Sequence, residues 1–141
     1  MKKVTQNYIK YQLPWQLLML IIFIISSIGN KDLPDLQFRE SDKLAHFFVF
    51  GLLGILLYRG FLVSKRPVIR LRAVSLSLLV GILYGLFDEV HQYFVPGRFA
   101  SITDWIADIT GIIVMIYIFR LFHNKLYRAK LKEVKSNTTN Q

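Results

Sequence analysis

The sequence predicts an all-α polytopic membrane protein, a four-transmembrane-helix bundle with both termini in the cytoplasm. Three observations carry this. Hydrophobic residues make up 53% of the 141-residue chain and charged residues only 19%, well off the balance of a soluble domain. The apolar residues collect in four runs, Leu13 to Gly29, Leu44 to Val63, Ala73 to Val95 and Ile102 to Phe122, each close to the ~20 residues that cross a hydrocarbon core as helix. The polar segments between the runs are basic and acidic in turn.

Residues 1–12 form an N-terminal segment carrying Lys2, Lys3 and Lys10. Lysines followed by LLMLIIFII resemble a secretory signal, but SSIGN lacks an A-x-A cleavage pattern, so an uncleaved first helix is expected over 13–29. The second helix is placed at 42–63, with Ser41 or Asp42 as its cap. The third, at 73–95, ends at the turn-forming pair Pro96-Gly97, which should fold Arg98 back over the helix ends. The fourth, at 103–122, starts from Ser101-x-x-Asp104, a capping-box pattern. Residues 123–141 make a basic tail, its end from Ser136 onward expected to be disordered. The stretch 123–135 is read as a solvated, topogenic tail, with anionic lipid headgroups as the other surface it could meet. The bundle at 13–122 is a single domain.

The net charge of +9 invites nucleic-acid binding, and its distribution argues against it. The N-terminal segment, the middle connection and the tail hold fourteen basic residues against one acid, Glu133, while the other two connections and adjoining helix ends hold four against eight. This is the positive-inside pattern and sets the middle connection and both ends in the cytoplasm. Tyr8, Tyr11 and Trp15 fall at the inner border, Phe99 and Trp105 at the outer. Cysteine is absent, which excludes disulfides and thiolate chemistry. There is no glycine-rich nucleotide loop and no Ser-His-Asp order. No cofactor is expected.

Polar residues intrude on this apolar plan. From Arg72 to Asp88 is sixteen residues, about 24 Å of helix, against a core about 30 Å thick. Asp88 and Glu89 therefore lie below the outer surface, as do His46 and Asp108 on their helices. Ionisable groups at such depth cost several kcal/mol unless they face a bundle interior or a wet cavity. Glu89 continues the small-residue stripe Ser77, Gly81, Gly85, a surface suited to close helix packing. His46 shares a face with Phe50 and Gly54, and Asp104 and Asp108 share one with Gly111 and Met115. The expected arrangement packs tightly on one side and opens outward in a polar cleft.

The candidate residues carry alternatives. Glu89, His46 and Asp108 are candidates for acid–base chemistry, or equally an interhelical network that only holds the fold. Arg98 is the best anion ligand, by its bidentate fork; otherwise it bridges to Asp104. Asp104 could simply cap its helix. Asp88 points about 100° from Glu89 and is expected to be wet or paired with Arg98. Gln92 should hydrogen-bond within the cluster, and Lys43 could snorkel. Lys43, Arg98 and two helix N-termini would make an anion site. His46, Glu89 and Asp108 are conceivable as an N/O metal set, but no H-E-x-x-H spacing supports it and Arg98 and Lys43 oppose a cation. No metal is expected.

The stretches DKLAHFFVFGLLGILL (42–57) and DEVHQYFVPGRFASITDWIADITG (88–111) resemble the VanZ-like family of small bacterial membrane proteins over about residues 10–122. The resemblance points to Asp42, Lys43, His46, Glu89, Gln92, Arg98, Asp104 and Gly111. Many members have Asn where this chain has Asp108, which leaves open whether that position needs charge or only a hydrogen bond. The founding member is associated with teicoplanin resistance. The resemblance thus implies a cell-membrane protein whose partners are membrane lipids, with a lipid-linked cell-wall precursor or a glycopeptide antibiotic as further partners, and no nucleic acid. The expected function is binding of an anionic envelope-lipid or precursor group in the outward cleft. Alternatives are a membrane-embedded hydrolase or transferase on a lipid-linked phosphate, and a structural membrane adaptor. Oligomeric state is not legible.

Overall fold

The computed structural model describes residues 6–29 and 39–139, with side chains over 6–29 and 42–125. Helix is the only regular structure among the described residues. α1 spans Leu13–Ser26 and is entered through a π-helical turn, Tyr8–Gln12. Pro14 has no N–H to donate to the carbonyl four residues back, and the chain takes the wider helix just before it. α2 spans Arg39–Leu62, α3 is the short Pro67–Leu71, α4 spans Ala73–Tyr93 and α5 spans Ile102–Thr139. Four stretches are long and apolar enough to cross a membrane: Tyr8–Ser26, Asp42–Leu62, Ala73–Tyr93 and Ile102–Lys125. The protein is an all-α chain fit for multiple membrane passes.

Several boundaries differ from those expected. The first helix begins inside the segment assigned to 1–12 and stops at Ser26, where the Ser26 and Ser27 hydroxyls bond back to the Ile22 and Phe23 carbonyls and compete with the helical ladder. α2 starts at Arg39, so Asp42 lies within the helix rather than capping it; nothing in Arg-Glu-Ser interrupts the helix. The Ser41 side chain lies outside the described residues, as do Lys2, Lys3 and the connection 30–38. Pro67 at the first helical position starts α3 in what was read as plain connection. The tail is helix, continuous with the fourth span as far as Thr139, because residues 123–139 contain neither Gly nor Pro. Part of the stretch expected to be disordered is thus helical, and the last two residues lie outside the described ones.

Packing is inverted relative to a soluble protein. Leu79 and Leu83 of α4 are 55% and 56% exposed, while Ser77, Asp88, Glu89 and Gln92 on the same helix are buried. Phe50, Leu53 and Leu57 of α2 interlock with Ile112 and Ile116 of α5 at the centre. Small residues let the helices approach, as expected where lipid offers no hydrophobic drive. A Cβ on Gly81 would fall 2.8 Å from Ile112 Cδ1, one on Gly51 2.6 Å from Met115 Cγ, and one on Gly111 would run into the Phe47 carbonyl. The stripe Ser77, Gly81, Gly85, Glu89 faces inward as its spacing requires. α1 packs more loosely, burying only Ile22 and Ser26. Polar contacts hold it: Gln12 Nε2 to the Gly60 carbonyl at 3.0 Å, the Tyr84 hydroxyl to the Met19 carbonyl, and Arg98 to its C-terminal end.

Candidate functional site

Alternating helix direction gathers the polar residues at one end of the bundle. The N-terminal turns of α2 bring Asp42 and His46, the last turns of α4 bring Asp88, Glu89 and Gln92, and the first turns of α5 bring Asp104 and Asp108. The basic residues Arg59, Arg72 and Arg120 lie toward the opposite end.

At the centre, His46 Nδ1 lies 3.0 Å from Oδ1 of Asp108, whose side chain is fully buried. Asp108 Oδ2 faces Gly85, where an added Cβ would stand 3.0 Å from it; the glycine makes the room. One turn along α4, Glu89 is 5% exposed. Its Oε2 accepts the Ser101 N–H at 2.6 Å. Ligand atoms of His46, Glu89 and Asp108 all lie within 4.8 Å of one another, and so do those of Asp42, His46 and Asp104. Asp88 is 2% exposed and accepts from Gln92 Nε2 at 2.9 Å. Asp88 Oδ1, Glu89 Oε1 and Asp108 Oδ2 have no hydrogen-bond partner among the described residues. Buried polar atoms are rarely left so.

A cleft of about 260 Å³ opens between α1, α2 and α4 beside this cluster, lined by Asp42, His46, Asp88, Gln92 and Arg98 against Ile22, Ile25, Val49 and Phe50. The turn that delivers Arg98 is type II. The Arg98 N–H bonds the Val95 carbonyl at 3.1 Å, with Pro96 and Gly97 between them and Gly97 at φ 83, a conformation open to glycine. Gly29 packs against the Pro96 carbonyl, which a Cβ there would meet at 2.7 Å.

Some expected roles need correction. Arg98 does not pair with Asp104 or Asp88. Its Nε and Nη2 donate to the Ile28 and Ile25 carbonyls at 3.0 and 3.3 Å, capping α1, and only its remaining N–H groups are left for the cleft. Asp88 is buried and not ion-paired; it accepts from Gln92 and lines the cleft wall. Lys43 is exposed and is not among the residues lining the cleft. The expected anion site at two helix N-termini is altered too. α2 begins a turn earlier, and the anion at the start of α5 is Glu89 itself. Ser101 caps that helix, its Oγ 3.4 Å from the Asp104 N–H. The Asp104 carboxylate is partly buried and comes near His46. Trp105 donates to the Ile82 carbonyl at 3.2 Å, and His91 meets Ser27 Oγ at 2.9 Å; both are structural contacts. Asp88 is the residue that sequence reasoning undervalued, and its spacing of four from Gln92 was the available signal.

The VanZ/LLP1 family model matches residues 2–123, which takes in all four candidate spans but for the last two residues of the fourth. The chain belongs to the VanZ/LLP1 family. An uncharacterized protein of Schizosaccharomyces pombe is 34% identical over 110 residues, which is 75% of this chain and 65% of that protein. The match thus spans just under two thirds of that relative's length, and it reaches a yeast, outside the bacterial proteins the motif resembles. No solved structure matches the chain. Every residue of the VanZ/LLP1 cluster described above falls inside the matched segment.

Proposed function

We propose that this VanZ/LLP1 protein sits in the cell membrane with both termini cytoplasmic and holds the polar headgroup of an envelope lipid or lipid-linked cell-wall precursor in its outward cleft. Through that capture it alters sensitivity to glycopeptide antibiotics of the teicoplanin type. The observation that carries this reading is the two-toned cleft: Arg98, His46 and Gln92 stand with Asp42 and Asp88 against an apolar wall from Ile22, Ile25, Val49 and Phe50. Such a lining fits an amphiphile whose phosphate meets the spare Arg98 donors and whose hydroxyl or ammonium donors meet the acids. A lipid-facing groove of about 360 Å³, lined by Glu89, Leu86, Tyr93, Phe94 and Trp105 among others, offers a bed for a hydrocarbon chain. The basic charge of the opposite end supports the orientation.

Native mass spectrometry of the detergent-extracted protein tests it. Wild type should retain a phosphate-bearing lipid, and Arg98→Lys, which keeps charge but loses the fork, should retain less. Equal lipid retention together with unchanged drug sensitivity in an Arg98→Lys strain would refute the reading.

One observation favours a second reading, a hydrolase or transferase on a lipid-linked phosphate. Asp108 holds His46 by Nδ1, and an ionised Asp108 requires the proton on that nitrogen, leaving Nε2 as a base. With Glu89 nearby, this is an acid–base set. Identical lipid profiles in membranes with and without the protein would eliminate it.

A further inference from the structure

We propose that His46, Glu89 and Asp108 bind one divalent cation of the Mn²⁺ or Zn²⁺ class. The inference does not depend on which headgroup the cleft takes. Three separate helices bring an imidazole nitrogen and two carboxylate oxygens within 4.8 Å of one another, an N/O donor set of the kind these ions accept.

The geometry alone would be only a cluster of acids. The unpartnered oxygens make it more. Asp108 is 0% and Glu89 5% exposed, and each keeps one carboxylate oxygen with no hydrogen-bond partner among the described residues. The Ser101 N–H is spent on Glu89 Oε2, and His46 Nδ1 stands 3.0 Å from Asp108 Oδ1, a contact whose proton is set by the tautomer of the ring. Two buried carboxylates this close repel each other and lose their hydration. A divalent cation beside a neutral imidazole cancels their charge.

The two cations that argued against a metal are not in the way. Arg98 is turned to the Ile25 and Ile28 carbonyls, and Lys43 is exposed. His46 also lines the open cleft, and with Asp42 and Asp104 it forms a second, outer triad whose ligand atoms lie within 4.8 Å of one another.

The test uses the full-length protein in detergent, stripped with a chelator and titrated with Mn²⁺ while electron paramagnetic resonance follows the free ion. One Mn²⁺ should bind per chain, be displaced by Zn²⁺, and show nitrogen modulation from the imidazole in pulsed spectra. Asp108→Asn and Glu89→Gln should each weaken binding by at least about tenfold, the scale on which even outer partners of metal sites act. Absence of binding, or binding without nitrogen modulation, overturns the proposal on wild-type protein alone, whatever the variants do. Loss of binding in Asp42→Asn with full binding in Glu89→Gln overturns it too, by moving the ion to the outer triad.

Discussion

The carboxylate of Glu89 on α4 accepts a 2.6 Å hydrogen bond from the backbone N–H of Ser101, the residue that caps α5. In a capping box that N–H is served by the acid three residues on. Here the neighbouring helix serves it, and Asp104 is released toward His46. Glu89 is therefore both a member of the polar cluster and the clamp between two helices. Glu89→Gln keeps an oxygen acceptor and should melt close to wild type in detergent. Glu89→Ala orphans the Ser101 N–H and should cost about 1–3 kcal/mol, read as a lower melting temperature. Equal melting of the two variants would show that the clamp contributes nothing.

Gly111 sets the spacing between α2 and α5. It stands against the Phe47 backbone, next to His46 in sequence, and three residues beyond Asp108. Gly111→Ala should force the helices apart, destabilise the protein by about 1–3 kcal/mol and weaken the His46–Asp108 contact without touching either residue. Melting in detergent gives the first effect. Histidine NMR shifts of the variant that match those of Asp108→Asn would show the second.

Asp108→Asn separates charge from shape. The amide preserves volume and can still pair with His46, so the protein should accumulate normally. If the cluster performs acid–base chemistry, turnover of the lipid-linked substrate should fall by about 10²-fold or more. If the cluster only holds helices together, the variant should match wild type in both accumulation and activity, because the pairing survives. Comparing membrane protein level with drug sensitivity in the same strain distinguishes these outcomes.

Orientation can be read with single cysteines, because the native chain has none. Phe99→Cys, in the loop after the Pro96-Gly97 turn, should react with a membrane-impermeant maleimide in intact cells. Lys125→Cys should react only after permeabilisation. The reverse pattern would put the cleft on the cytoplasmic face.

Much of the fold was legible because the governing rules are local. Twenty-residue apolar runs announce spans, and the Ser77-Gly81-Gly85 stripe announces which side of α4 packs inward. Glu89 followed by extension of that stripe. The helix ends were harder, since the chain between 122 and 139 holds no breaker to mark the fourth helix's limit. Arg98 was misjudged for a different reason. Its partners are the carbonyls of Ile25 and Ile28, about seventy residues earlier, and backbone acceptors leave no trace in side-chain patterns. Asp88 was misjudged because its direction was measured from Glu89 alone, whereas, three residues after Gly85 and four before Gln92, it shares their buried face.

The polar contacts along α1 and its two ends have a mechanical consequence. An apolar rod among other apolar rods in lipid has little to stop it sliding by a turn, since one greasy surface is much like the next. Gln12 to Gly60, Tyr84 to Met19 and Arg98 to Ile25 and Ile28 act as rivets at the bottom, waist and top of the rod. A shift of one turn, about 5.4 Å, would break all of them at once, so α1 has a single vertical seating and the cleft wall it contributes keeps a constant height.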